Sequence, residues 1–312
     1  MAVEEVWNYN FHSSFHTLAS YREQFPYISV DMEFPGFLQE TDRDALESIR
    51  YADLKFNVDN LKPIQVGLTL GDSSGHVLYT WQFNLSGFNV RVDPSSAKSI
   101  ELLGRSGIDF DRILYEGVKV QDLARSFMMT FVVGGRNRLH HWFTFHGLYD
   151  LAYIIKMITN APLPDTLPEF LSLVRVFFGR VYDLKMMAKS YDGLMGGEIG
   201  LLRMSSILDV DASRIRPHQA GHDSLLISKV FSSMKRNLRL VEEEFTGQLY
   251  GLSSTVRPSA QNFNVMVVSL LPNPVFMNYN MAPSPPPPIM PRPPPLMWLP
   301  RAPLPLPPFG IQ

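Results

Sequence analysis

The sequence predicts an α/β domain, one mixed sheet of five or six strands under flanking helices, followed by a flexible, disordered proline-rich tail. Three observations carry this expectation. Of 312 residues, 45% are apolar and 12% aromatic, enough to bury a large core. Adjacent strand-like runs come early and are followed by strands alternating with helical runs, the order of a mixed sheet covered by helices. Proline is unevenly spread, with 8 of 25 in residues 1–257 and 17 in the last 55. The boundary falls between Leu252 and Pro258, which gives a domain over 1–257 and a tail over 258–312.

The elements follow in order. Tyr27 to Phe34 reads as a strand that ends in acids. Pro63 to Leu70 and His76 to Asn84 are strands joined by the turn Gly71-Asp72-Ser73-Ser74-Gly75. Ser96 to Leu103 and Val120 to Val132 read as helices, His141 to Phe145 as a short strand and Tyr149 to Ile158 as a helix. Thr166 to Phe178 is helical, with Pro168 in the first turn, where a missing amide is harmless. Val181 to Leu184 is strand-like, and Leu201 to Leu208 and Asp223 to Asn237 are helices. The tail has no Lys, Asp or Glu and two arginines, Arg292 and Arg301. Its runs Pro285 to Pro288 and Pro293 to Pro295 fix φ and lack donors, so they predict polyproline II.

Composition excludes several functions. With 28 Lys+Arg against 30 Asp+Glu the net charge is −2, which argues against binding nucleic acid by bulk charge and leaves local grip on a few phosphates. The absence of cysteine excludes disulfides, thiolate catalysis, iron–sulfur clusters and Cys-ligated zinc. The acidic start Met1-Ala2-Val3-Glu4-Glu5 lacks the layout of a secretory signal, and no uncharged apolar run reaches the roughly 18 residues of a membrane span. A soluble intracellular protein without a membrane segment is expected.

Acids at the ends of core strands and the starts of helices carry the chemistry. Alternation places Asp31 and Glu33 on one face of their strand, about 7 Å apart, where they repel unless a cation lies between them. A strand end turning into solvent is the other explanation. Asp150 follows Phe145-His146-Gly147 at a helix start, and Asp223 follows His218 by five residues as a loop enters a helix. Either acid serves equally as a cap that compensates the helix dipole. Taken together, Asp31, Glu33, Asp150 and Asp223 offer four hard oxygen ligands with His218 beside them. Such a set suits Mg²⁺ or Mn²⁺. Two ions about 4 Å apart stabilise the attacking and leaving oxygens of an in-line phosphoryl displacement, and a near-neutral His takes the proton of the attacking water. The residues alone reach a two-metal phosphodiesterase.

Longer motifs extend this reading. They are Val30-Asp31-Met32-Glu33-Phe34-Pro35-Gly36, Asn57-Val58-Asp59-Asn60-Leu61-Lys62-Pro63-Ile64-Gln65-Val66-Gly67-Leu68, and Thr80-Trp81-Gln82-Phe83-Asn84. Then come Ser99-Ile100-Glu101-Leu102-Leu103, Phe145-His146-Gly147-Leu148-Tyr149-Asp150, Tyr182-Asp183-Leu184-Lys185, His218-Gln219-Ala220-Gly221 with Asp223-Ser224, and Tyr250-Gly251-Leu252. In this order, over residues 5–252, the chain resembles the CCR-associated factor deadenylases of the CCR–NOT complex. These are DEDDh-class 3′–5′ exonucleases of ribonuclease-H-like fold. The resemblance implies a poly(A)-specific exoribonuclease that releases 5′-AMP, with two divalent metal ions (Mg²⁺ or Mn²⁺) held by Asp31, Glu33, Asp150 and Asp223 and with His218 as general base. It implies single-stranded poly(A) RNA as substrate. It also implies a scaffold subunit and a second deadenylase of the CCR–NOT complex as partners, and action in cytoplasm and nucleus. Two competing readings are a catalytically weak scaffold subunit of that complex and a DEDDh exonuclease acting on DNA. Three features depart from the family pattern: His222 in place of a small residue, Met195-Gly196-Gly197-Glu198 in place of Lys-Gly-Gly-Leu, and the loop Gly134 to His141.

Other constellations are weaker. His218 and His222 have zinc-pair spacing, but Gln219 cannot act as a base and Gly221 breaks the helix, so His222 is expected to be an exposed or hydrogen-bonded neighbour. His140, His141 and His146 are expected to be structural. Asp183 either supports the site or stabilises its turn. Phe34, Phe37, Phe145 and Tyr149 flank the acids and either stack on bases or fill the core. Lys62 and Lys185 either meet phosphates or face solvent. Pro283-Ser284-Pro285 and Pro291-Arg292-Pro293-Pro294 resemble ligands of SH3, WW or profilin-type grooves, so a polyproline-binding protein is a candidate partner of the tail.

Overall fold

A computed structural model describes residues 2–42, 44–133, 139–238, 240–253 and 255–256. The proline-rich segment with its candidate partner motifs, and positions 134–138 of the loop noted above, lie outside the described residues. The strands are β1 (Val3–Val6), β2 (Tyr27–Glu33), β3 (Gln65–Gly71), β4 (Val77–Ser86), β5 (Val118–Lys119), β6 (His141–Thr144) and β7 (Arg180–Asp183). The α-helices are α1 (Phe11–Tyr21), α2 (Glu47–Asn60), α3 (Ala97–Arg105), α4 (Phe110–Glu116), α5 (Val120–Phe127), α6 (Leu148–Thr159), α7 (Leu167–Phe178), α8 (Leu184–Met187), α9 (Leu201–Ile207) and α10 (Ala220–Asn237).

The sheet is mixed, as expected, with seven strands in the order β1-β4-β3-β2-β6-β7 and β5 paired to the end of β4. β2, β3 and β4 run antiparallel in turn, while β6 and β7 run parallel to β2 and β1 runs parallel to β4. The count exceeds the expected five or six because β1 and β5 have only four and two residues. Neither supplies an apolar run; in β1 the centre is Glu4-Glu5. Each is held by its neighbour's ladder instead.

Alternation along the strands sorts side chains to two cores. On β6, Trp142 joins Phe127, Phe178 and Leu151, whereas Phe143 joins Phe231 of α10 at a ring distance of 4.0 Å. Helices therefore cover both faces, and every residue of β3 is buried. The segment expected as one helix over Val120 to Val132 is α-helical only to Phe127. It continues as a π-helical turn, Met128–Val132, that buries four of its five residues. The helix expected from Asp223 begins earlier, at Ala220, so Asp223 sits within its first turn. Among the described residues no helix is long and apolar enough to cross a membrane. The outcome that matters for function is at one end of the sheet: parallel β6 and β7 end level there, β2 runs on past them through Asp31 to Glu33, and α6 and α10 start there.

Candidate active site

The site begins at the end of β2. Asp31 pairs with Gly67 of β3, and Glu33 pairs with Gln65. Opposite residues share a face, and at position 67 that face is filled by backbone. A Cβ on Gly67 would stand 1.9 Å from the carbonyl oxygen of Ala220. Glycine here lets the first turn of α10 rest directly on the sheet, on the face that carries Asp31 and Glu33. Gly221 also packs closely on the neighbouring strands, where a Cβ would meet Gln82 and Val3 at 2.7 Å.

A buried amide network fixes this helix start. Gln65 accepts the Ala220 N–H at 3.2 Å, and Gln82 accepts the Gly221 N–H at 2.9 Å. These are amides that a helix leaves without internal partners. Gln82 and Gln65 donate to the Gln219 side chain at 2.7 and 3.3 Å, and Gln82 and Asn84 donate to Glu5 on β1. Gln219 donates to the Ser106 carbonyl, and the Ser106 hydroxyl donates to the His218 carbonyl at 3.1 Å. Apart from His218, none of these residues was read as functional from sequence. Their signal was polar residues inside otherwise apolar strands.

His218 has φ of 60° and donates its backbone N–H to Asp223 Oδ2 at 2.8 Å. One ligand atom each of Glu33, His218 and Asp223 lies within 4.8 Å of the others. Asp150 comes from the opposite side, in the first turn of α6, and its Oδ1 accepts the Met32 N–H at 3.0 Å. The turn before it is organised by Asp183. This fully buried carboxylate accepts the N–H groups of His146, Gly147, Lys185 and Tyr250 at 2.9, 3.3, 3.0 and 3.0 Å. Asp183 thus caps α8 and supports the site turn at once, answering both alternatives set for it.

All five residues singled out in the sequence are brought to this end of the sheet. Their electrostatics are those of acids crowded without a counter-charge. Burial first, then Asp150, Asp223 and Glu33, push the Asp31 carboxyl well above the usual carboxylate range. Burial, then Asp223 and Asp150, do the same to Glu33. Burial raises Asp150 to about 8 and Asp223 to about 7, each opposed by the backbone N–H bonds it accepts. Among the described residues none of the four has an ion pair. Hard oxygens crowded this way fit a divalent cation, which would lower each of these values by neutralising the cluster.

The remaining candidates separate. Among the described residues His222 is not the exposed or hydrogen-bonded neighbour expected: it is 9% exposed, its Nδ1 has no hydrogen-bond partner, and it is not part of the ligand group. It sits in the first turn of α10, which the sheet covers. His141 is structural, stacked on Tyr27 at 4.6 Å and hydrogen-bonded to Arg180 and Tyr182. Lys62 pairs with Asp93. Phe34 and Tyr149 pack on the core, while Phe37 is 41% exposed and stands edge-on to Tyr149 at 5.0 Å. Buried Asn57 holds the Phe37 loop by accepting the N–H groups of Leu38 and Gln39 and donating to the Gln39 carbonyl.

Comparison with known proteins agrees with this geometry. A family model described as CAF1 family ribonuclease matches residues 6–129 and 142–231. The chain is 38% identical over 246 residues to probable CCR4-associated factor 1 homolog 5 of Arabidopsis thaliana, covering 78% of this chain and 86% of that protein. It is 34% identical over 264 residues to poly(A) ribonuclease pop2 of Schizosaccharomyces pombe, covering 81% and 76%. Among solved structures, the Mg²⁺- and Mn²⁺-bound form of S. pombe Pop2p superposes with a TM-score of 0.73 at 34% identity, over 81% of this chain and all of that one. Yeast CAF1 co-crystallised with the NOT1 MIF4G domain superposes with a TM-score of 0.67 at 25% identity, over 80% and 96%. With its mixed sheet, its covering helices and an acid cluster at the end of the sheet where α6 and α10 start, the chain belongs to the CAF1 family of ribonucleases and has the ribonuclease-H-like nuclease fold.

Proposed function

We propose that the protein is a metal-dependent 3′–5′ exoribonuclease that shortens poly(A) tails. The observation that carries this is the convergence of Asp31, Glu33, Asp150 and Asp223, whose charges have no cation partner among the described residues, with His218 beside them. The metal-bound Pop2p structure and the name poly(A) ribonuclease of the S. pombe relative support the metal and the substrate. Asp31, Glu33, Asp150 and Asp223 would hold two Mg²⁺ or Mn²⁺ ions. Bound there, the ions would supply charge stabilisation for the attacking and leaving oxygens.

The chain's own groups do the rest. His218, held in place through both its backbone N–H and its carbonyl, takes a proton from water as that water attacks the terminal phosphorus. The P–O bond to the upstream 3′ oxygen breaks, that oxygen gains a proton, and the terminal nucleotide leaves as the 5′-monophosphate. The Met32 N–H positions Asp150, and the Gln65–Gln82 network keeps α10 and Asp223 at the sheet. Assembly with a NOT1-type scaffold, in cytoplasm and nucleus, is the expected setting; the yeast complex supports the scaffold.

The test is the purified full chain on 5′-labelled oligo(A) with Mg²⁺, Mn²⁺ or EDTA. A ladder of chains shortening from the 3′ end, with 5′-AMP released and activity lost in EDTA and in Asp31→Ala, is the expected result. Internal fragments, or an Asp31→Ala protein as fast as the parent, overturn the proposal.

A further inference from the structure

Beyond the acids, on the far side of the turn that carries Asp150, two cations meet over one ring. Lys185 of α8 and Lys189 of the 3₁₀ turn Ala188–Ser190 are four residues apart. Their ammonium groups lie 4.4 and 4.7 Å from the centre of the Tyr250 ring. Like charges at this spacing repel. Among the described residues neither ammonium has an ion pair or a hydrogen bond. A third cation, Arg50, lies beside Gly251, where a Cβ would meet its Nη1 at 3.8 Å.

The ring between them is fixed. Tyr250 donates its N–H to Asp183, the carboxylate that also holds the turn leading into α6, and meets the His146 ring edge-on at 5.0 Å. Its hydroxyl donates to Glu198. Gly197 presses the Met195–Glu198 segment onto the group, since a Cβ there would stand 2.7 Å from the Lys185 carbonyl and 3.3 Å from the Tyr250 ring. The Glu198 that departs from the family pattern therefore faces this ring.

We infer that Lys185, Lys189 and Tyr250 form a binding site for a backbone phosphate of the RNA, upstream of the nucleotide being removed, and that Glu198 weakens it by its charge. The inference rests on the exonuclease reading. A chain with net charge −2 and four clustered acids repels a polyanion, so its hold on RNA must come from local cations. Lysines meet phosphate as point charges, and these two, without an ion pair among the described residues, supply a local positive charge near the acid site.

The experiment compares the full-length parent with Lys185→Gln/Lys189→Gln, Lys185→Arg/Lys189→Arg and Glu198→Gln. Cleavage and fluorescence-anisotropy binding are measured on oligo(A) of about 15 nucleotides and on a dinucleotide, over a salt series. For the double glutamine variant on the long RNA, KM and Kd should rise about tenfold with kcat within about twofold. The slope of log K against log salt should shrink by about 0.7, the value for one phosphate on a single strand. The dinucleotide should show no change, the arginine pair should restore the slope, and Glu198→Gln should tighten long RNA two- to threefold or so. An unchanged Kd and slope on long RNA overturn the inference, as does an equal loss on the dinucleotide, which would mark a structural role. Binding reads this separately from cleavage: a parent that binds long RNA with this salt dependence but never cuts it overturns the exonuclease reading alone.

Discussion

Replacing Asp150 by Asn should stabilise the metal-free protein at pH 8 while abolishing its response to metal. Burial raises the Asp150 carboxyl to about 8, and the Asp183 charge adds to it. A carboxyl raised in the folded state binds its proton more tightly there than in the unfolded chain. Its contribution to stability is complete below about pH 4 and is lost as pH rises through about 8. Four pH units at about 1.4 kcal/mol each set an upper bound near 6 kcal/mol. Water penetration and relaxation of the turn reduce this to roughly 2 kcal/mol, or about 4–8 °C in Tm for a domain of this size. Asn keeps an oxygen for the Met32 N–H, so the bond at 3.0 Å survives the change. The assay is thermal unfolding of parent and variant from pH 5 to 9, in EDTA and in Mg²⁺ or Mn²⁺. The variant should decline less steeply than the parent above pH 5, keeping the share that the raised Asp31, Glu33 and Asp223 contribute, and should lose all of the metal-induced rise. A variant that melts below the parent at pH 8 in EDTA, or is still stabilised by metal, refutes the reasoning.

Gly67→Ala drives a Cβ into the Ala220 carbonyl and should cost roughly 3 kcal/mol with loss of oligo(A) trimming, read by melting and by activity at a temperature where the variant remains folded. His218→Ala should lower kcat by roughly 10²–10⁴ with metal-induced stabilisation retained, whereas His222→Ser should leave kcat within about threefold; the reverse order would move the base to His222. Phe37→Ala removes an exposed ring on a loop held by Asn57 and should raise KM for oligo(A) about tenfold with little change in kcat, measured against oligo(U). Deleting residues 258–312 should leave turnover on short oligo(A) and Tm nearly unchanged, since that segment has no carboxylate and two arginines.

The five main strands and the acids at their ends were legible because each signal is local. An apolar run closed by Asp-x-Glu shows β2 without any knowledge of its neighbours. β1 was not legible because its Glu5 makes sense only against Gln82 and Asn84, about 80 residues away. α1 was missed although Phe11, Phe15 and Leu18 line its buried face, since Ser, His and Thr between them are weak helix formers. α2 was missed because part of its buried face is polar: Asp53 and Asn57 are buried with Tyr51, Leu54 and Val58. These polar residues carry the Phe37 loop, so function masked the helical pattern. The Gln65–Ala220 bond joins residues 155 apart, and pattern reading within a window cannot reach it.

Backbone conformation explains why the acids alone were not the whole site. Among the described residues five that are not glycine have positive φ, and two of them, His146 and His218, both at 60°, immediately precede the turns that begin α6 and α10. The left-handed conformation costs such a residue roughly 1–2 kcal/mol. In return each turns the chain sharply and aims its own N–H at a carboxylate, His146 at Asp183 and His218 at Asp223. The turns that lead into α6 and α10 are therefore built alike, from a strained histidine, an accepting acid and a helix start that carries a ligand. They differ in where the acid sits. At α6 the acceptor is the buried Asp183, which leaves Asp150 free to bond Met32 and face the site. At α10 the acceptor is Asp223 itself, which binds the residue bearing the proposed base to a proposed metal ligand. Moving Asp223 must then move His218, so ligand and base cannot be optimised separately on this helix, whereas Asp150 can shift with its turn while the base stays in place.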